Sequence, residues 1–156
     1  MRARILAAFA LVVCLASSAT AQDTSVAIAG QVQHPTTLTV ADLQKLPAAT
    51  VPIAFITDKG QESASYTGAL LLTVIGKAAP IDGPGKNAKL RHTYLVTASD
   101  GYAVAISQGE IDPNFEGKPV ILAYAKDGKS TGIRLIVPGD KHGGRAVRDV
   151  VKIDVQ

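Results

Sequence analysis

Ile133-Arg134-Leu135-Ile136-Val137-Pro138-Gly139-Asp140-Lys141-His142-Gly143-Gly144-Arg145-Ala146-Val147-Arg148 joins an apolar run, a Pro-Gly break, a loop with paired glycines and an Arg-x-x-Arg pair. The apolar run reads as a buried strand that Pro138-Gly139 stops, and Gly143-Gly144 permits close approaches that a side chain forbids. On a strand, Ile133, Leu135 and Val137 share one face, which leaves Arg134 on the other with Ile136. A guanidinium on a mostly apolar strand pairs or lines a cleft, because burying it unpaired costs several kcal/mol. If Arg145 and Arg148 occupy one turn of α- or 3₁₀-helix, they share a face, and the loop brings Arg134, Arg145 and Arg148 into one depression with Lys141 or His142 at its rim. Such a depression suits an anion, since arginine binds phosphate or carboxylate bidentately. The competing reading is that these arginines are solvated or paired with Asp140 and Asp149, as surface charges commonly are.

Arg2 and Arg4 precede the apolar stretch Ile5 to Ala16, and Ala19-Thr20-Ala21 is a small-x-small site. This pattern predicts a signal peptide over 1–21, with 22–156 as one exported, periplasmic or secreted domain. The apolar stretch is too short for an ordinary membrane span, and no later stretch approaches the required length. The single cysteine, Cys14, falls within the leader. Residues 22–156 therefore cannot form a disulfide, a cysteine-ligated metal site or a thiol nucleophile, and stability must come from a hydrophobic core. Of the 16 Lys and Arg, two lie in the leader, leaving 14 against 13 Asp and Glu. That near balance argues against a nucleic-acid partner.

The remainder reads as strands with a few short helices. Val26 to Val32 alternates as a strand. Over Thr37 to Pro47, Thr39 and Asp42 form a capping box ahead of inward-facing Leu43 and Leu46. Thr50 to Thr57 is a strand that Pro52 assigns to an edge or a bulge, and Gln61 to Tyr66 returns from the turn Asp58-Lys59-Gly60. Leu70, Leu71, Val74 and Ala78 follow helical spacing, which predicts a helix from about Gly68 to Lys77. His92 to Ala98 and Tyr102 to Ile106 form a hairpin across Ser99-Asp100-Gly101, and Ser107 to Glu110 offers a second capping box. Val120 to Ala125 and Ile133 to Val137 form another hairpin, and Val150 to Val155 is the last strand. A single core should bury Leu43, Leu70, Leu71, Val74, Leu95, Val104, Leu122, Leu135 and Val137.

The ordered set Gly30-Gln31-Val32 with Pro35, Leu38 to Leu43 before Leu46-Pro47, Tyr66-Thr67-Gly68 with Leu70-Leu71, Ser99-Asp100-Gly101-Tyr102 before Glu110, Asp127-Gly128, and Arg134 to Gly139 followed by Gly144 to Arg148 resembles the oxidoreductase molybdopterin-binding domain of sulfite oxidases and their bacterial relatives. The resemblance covers nearly all of 22–156. It implies an α+β, β-rich sulfite oxidase-type molybdopterin-binding fold with a few short helices. Arg134 then matches a basic residue of the family's active site, and Arg145 and Arg148 match basic residues near the pterin and its phosphate. The family's molybdenum-binding cysteine follows the second strand, where this chain has Ala54-Phe55-Ile56-Thr57-Asp58. The soft thiolate that suits that metal is replaced by the oxygens of Thr57 and Asp58.

The reading that follows is an exported domain that binds a molybdopterin, a related pterin or another small anion through Arg134, Lys141, His142, Arg145 and Arg148, without molybdenum redox chemistry of its own. One alternative is an accessory or sensor-input protein that presents this fold to a membrane sensor or redox partner. Another is a molybdopterin-dependent oxidoreductase with non-cysteine metal ligation, so the sequence does not decide whether the chain is an enzyme. His34, His92 and His142 sit at no metal-ligand spacing. No Gly-x-Ser-x-Gly or Gly-x-Gly-x-x-Gly motif supports a hydrolase or a nucleotide-binding protein.

Overall fold

In the computed structural model, the described residues are 24–156. The expected leader, and its cleavage site, lie outside them. Strand β1 (Ser25–Gly30) runs antiparallel to β2 (Thr36–Thr39). Helix α1 (Val40–Gln44) starts at the expected capping box: Asp42 N donates to Thr39 Oγ1 at 3.2 Å, and Thr39 N donates to Asp42 Oδ2 at 3.1 Å. These bonds satisfy helix-end donors that otherwise lack partners. Its inward residue, Leu43, is fully buried.

The long hairpin β3 (Ala48–Thr57) and β4 (Gly60–Leu70) follows, with β3 at a sheet edge where Pro52 removes no interior ladder bond. Helix α2 (Leu71–Gly76) is shorter than the predicted 68–77, because Gly68, Ala69 and Leu70 still pair with the neighbouring strand β7 (Ile121–Lys126). At the bulge between Thr67 and Gly68, a Cβ on Gly68 would lie 2.1 Å from the Leu122 carbonyl oxygen. Glycine is therefore required for the two backbones to meet there. Hairpin β5 (Thr93–Ala98) and β6 (Ala103–Ser107) leads into α3 (Gln108–Ile111), whose N-cap Ser107 makes no side-chain capping bond, unlike the expected box. Strands β8 (Lys129–Ile136) and β9 (Val150–Val155) complete two sheets, ordered β2-β1-β9-β5-β6 and β3-β4-β7-β8. The β1–β9 pair is parallel, and the other pairs are antiparallel.

Two apolar clusters form where one core was expected. The larger joins Val26, Ile28, Val96 and Ile153 of the five-stranded sheet to α2 and to Leu122, Ile133 and Leu135 of the four-stranded sheet. The smaller holds Val51, Ile53, Phe55, Tyr66, Ile121, Ala123 and Ile136, on the opposite face of β7 and β8. Of the nine predicted core residues, Leu43, Leu71, Val74, Leu122, Leu135 and Val137 are buried, whereas Leu70, Leu95 and Val104 are only half-buried. Leu95 lies on the wrong face: Tyr94, Val96 and Ala98 point inward on β5. Leu70 packs against the smaller cluster, and Val104 lies at the margin of the larger.

Replacement of fully buried Leu135 by Ala should cost about 2–5 kcal/mol of unfolding free energy. Leu95→Ala should cost much less, and urea denaturation of both variants, with comparable slopes, is the check.

Candidate functional site

Because β8 alternates, Arg134 emerges on the side of the smaller cluster, opposite Ala123 of β7. Its side chain is 11% exposed. Nη1 donates to Tyr66 Oη at 2.6 Å, and the guanidinium carbon lies 5.0 Å from the Tyr66 ring centroid. Tyr66 Oη in turn donates to Glu62 Oε1 at 3.0 Å, the same oxygen that receives Lys126 Nζ at 2.8 Å. Lys126 foremost, with Tyr66 and Arg134 adding, holds the Glu62 carboxyl below its ordinary range. Burial pushes the Tyr66 phenol up. Arg134 Nε is buried without an acceptor. An orphaned donor on a buried guanidinium is costly, so this side chain is not fully accounted for by its neighbours.

The segment after β8 is tied down at several points. Gly139 takes φ +84°, a value that favours glycine. Ile56 N donates to Lys141 O at 2.9 Å, and Ile56 and His142 form a short parallel bridge on the free edge of β3. Gly143 lies against Phe55, where a Cβ would come within 3.0 Å of the ring. A 3₁₀ turn spans Gly143–Arg145, and Tyr102 Oη donates to Gly144 O at 2.7 Å. Leu135 N then donates to Val147 O at 2.9 Å, which returns the chain to the core.

Arg145 spends its donors on this scaffold. Nε and Nη2 reach the two oxygens of Asp140 at 2.9 and 2.6 Å, and Nη1 reaches Glu110 Oε1 at 2.8 Å. The paired-arginine alternative thus describes Arg145, with Glu110 in addition to Asp140. The 3₁₀ turn ends at Arg145, so Arg145 and Arg148 do not share a helical face as the three-arginine reading required. Arg134, His142 and Arg148 line one cleft of about 560 Å³, together with Phe55, Ile56, Thr57 and Asp58 and the backbone of Gly143-Gly144. Neither Lys141 nor Arg145 lines it. Arg148 is exposed and has no carboxylate at ion-pair distance among the described residues. It also borders a second cleft of about 370 Å³ with Ser99, Asp100, Tyr102 and Asp149. Glu62, Tyr66 and Lys126 were missed by sequence reasoning. Period two on β4 places Glu62 and Tyr66 on one face, and that was the available signal.

With respect to a pterin cofactor, the donors fit in part. Two guanidiniums and an imidazole suit a phosphate, and the apolar Phe55 and Ile56 suit a ring. A thiolate-bound metal does not fit. Thr57 and Asp58 offer hard oxygens, and no group of three or more His, Cys, Asp or Glu that could hold a metal occurs among the described residues.

No family model and no curated protein matches the chain. Among solved structures, it is similar to the sulfane dehydrogenase SoxCD from Paracoccus pantotrophus, with a TM-score of 0.69 and 19% identity. The match covers 86% of this chain and 38% of that one. The chain has an α+β, β-rich fold of the sulfite oxidase type. It spans well under half the length of that neighbour, and at this identity the likeness concerns the fold alone.

Arg145→Ala should lower stability by about 1–3 kcal/mol, since it strands Asp140 and takes one of two cations from Glu110, which keeps Lys118. Burial alone would raise the Glu110 carboxyl, but bonds from Lys118 and Arg145 hold it below its ordinary 4.5. A depressed folded value contributes stability above pH 4.5 that is lost as pH falls through the folded value. Thermal unfolding from pH 7 to pH 2 should therefore show a shallower acid decline in Arg145→Ala than in the parent chain.

Proposed function

We propose that the chain is an exported domain that binds a phosphate-bearing pterin or another small anion in the cleft between Arg134, His142 and Arg148, without molybdenum redox chemistry of its own. The observation that carries this reading is the pairing, in one cleft, of a mostly buried Arg134 whose Nε lacks an acceptor with an Arg148 free of ion pairs among the described residues. An under-compensated guanidinium is stabilised by an oxyanion more than by water, because charge-assisted hydrogen bonds are the strong ones. The ordered motifs and the fold likeness support the pterin as the form of that anion.

The chain's own contribution would be binding: Arg148 and His142 would offer donors to the phosphate, Phe55 and Ile56 an apolar surface to the ring, and Arg134 a further guanidinium. The absence of any cysteine in residues 22–156 supports the loss of the family's metal ligation.

Protein purified from the native periplasm should begin at Gln22 and carry pterin fluorescence or phosphate, without stoichiometric molybdenum. A full complement of the metal would overturn the redox part of the proposal. In phosphate titrations of the purified protein, Arg148→Ala should weaken binding about tenfold while leaving the unfolding midpoint unchanged, and affinity should fall as salt rises. Equal affinities for both proteins would remove Arg148 from the site.

A further inference from the structure

We propose a second oxyanion subsite on the other side of Arg134, in the cleft bounded by Tyr66, Lys126, Lys129, Ser130 and Arg134, selective for a small tetrahedral oxyanion such as sulfate or phosphate. This cleft, of about 390 Å³, shares Arg134 with the first cleft but none of its other lining residues. It goes beyond the proposed pterin or anion site and does not depend on what fills it.

The argument begins with charge. Lys126 and Arg134 both face Glu62, at 2.8 and 3.9 Å. Yet the Glu62 oxygen they approach already accepts from Lys126 Nζ and from Tyr66 Oη. One carboxylate thus faces two cations. Lys129 adds a third cation at the start of β8 and has no ion-pair partner among the described residues. The other carboxylate at the cleft, Asp127, is engaged through Oδ1 by the amide of Ser65 at 2.8 Å. Positive charge therefore exceeds negative charge in a depression that also exposes the Ser130 hydroxyl.

Donor chemistry points the same way. Arg134 makes one hydrogen bond among the described residues, to Tyr66, and its Nε has no acceptor. Lys126 Nζ lies 5.7 Å and the Arg134 guanidinium carbon 5.0 Å from the Tyr66 ring centroid, so both cations approach one phenol. Ser130 lines the cleft between Lys129 and Arg134. Ammonium, guanidinium and hydroxyl donors arranged around one depression suit a tetrahedral anion, whose several oxygens accept from different directions. A planar carboxylate offers two oxygens and uses fewer of them.

The test is titration of the purified protein with inorganic sulfate, and in parallel with acetate, followed by calorimetry and by amide shifts in NMR spectra. Sulfate should shift Ser130 and Thr131, acetate should shift them far less, and Lys129→Glu should weaken the sulfate response about tenfold or more while Arg148→Ala leaves it intact. Lys129 is exposed at a turn, so this variant should keep the parent's unfolding midpoint. Sulfate shifts confined to Gly143 and Gly144 and lost in Arg148→Ala would place the only oxyanion site in the first cleft and overturn the proposal. No saturable shift at Ser130 or Thr131, or acetate matching sulfate there, would overturn it as well. Because Arg148→Ala reads the first cleft and Lys129→Glu the second, either site can fail alone.

Discussion

From Ile133 onward, strand β8 is buried on both faces, and the rest of the molecule is arranged around that constraint. Ile133, Leu135 and Val137 enter the cluster between the sheets, while Ile136 enters the smaller cluster on the outer face. A strand with two apolar faces leaves no solvated side on which a charge can rest. Arg134 must therefore find compensation within the outer layer. Tyr66, Glu62 and Lys126 are drawn together by that need, and even they leave Nε unmatched. The clefts on either side of Arg134 follow from one alternation of side chains along eight residues.

The loop that covers the outer cluster shows how a sequence of similar charges divides its labour. Arg145 is fastened by Asp140 and Glu110, and Tyr102 holds Gly144. These contacts hold Gly143 against Phe55 and leave the His142 and Arg148 side chains in the cleft. The guanidinium that is most strongly bonded is thus the one least available to a ligand. Its proton is held more tightly than usual, chiefly by Asp140, as expected of a structural ion pair. Removing Arg145 would loosen the cleft indirectly, whereas removing Arg148 would remove a donor from it.

Local rules were the legible part of the sequence. The Thr39–Asp42 capping box, the Pro52 edge strand and the hairpins at Gly60, Gly101 and Gly128 depend on a few adjacent residues, and each occurs where its residues place it. Apart from the Ser107 capping box, which does not form, the errors arise where distant pairing decides. Helical spacing begins at Gly68, yet hydrogen bonds to β7 keep 68–70 extended, and no local pattern records that partner. Leu95 and Val96 are both apolar, so the phase of β5 depends on which face meets the core. The candidate site was legible in its glycines and cations, but not in its allocation of them. Glu110 lies 35 residues before Arg145, and only the fold brings them to 2.8 Å.

Likeness of fold and likeness of chemistry separate at one strand end. Twisted sheets and the β8-to-β9 loop can be retained with few identical residues, because burial and backbone pairing tolerate many apolar sequences. Metal ligation tolerates far less, since a soft centre needs a soft donor at one point. At the end of β3 this chain offers Thr57 and Asp58, and the Thr57 hydroxyl is already donated to Gly60 O at 2.9 Å within the hairpin turn. That hydroxyl serves the turn, while Arg134 and Arg148 still face the cleft with donors to spare. Under the proposed reading, a cleft with these cations and no thiolate would prefer an anion to a soft metal. The unmatched charge beside Arg134 gives that preference its physical basis.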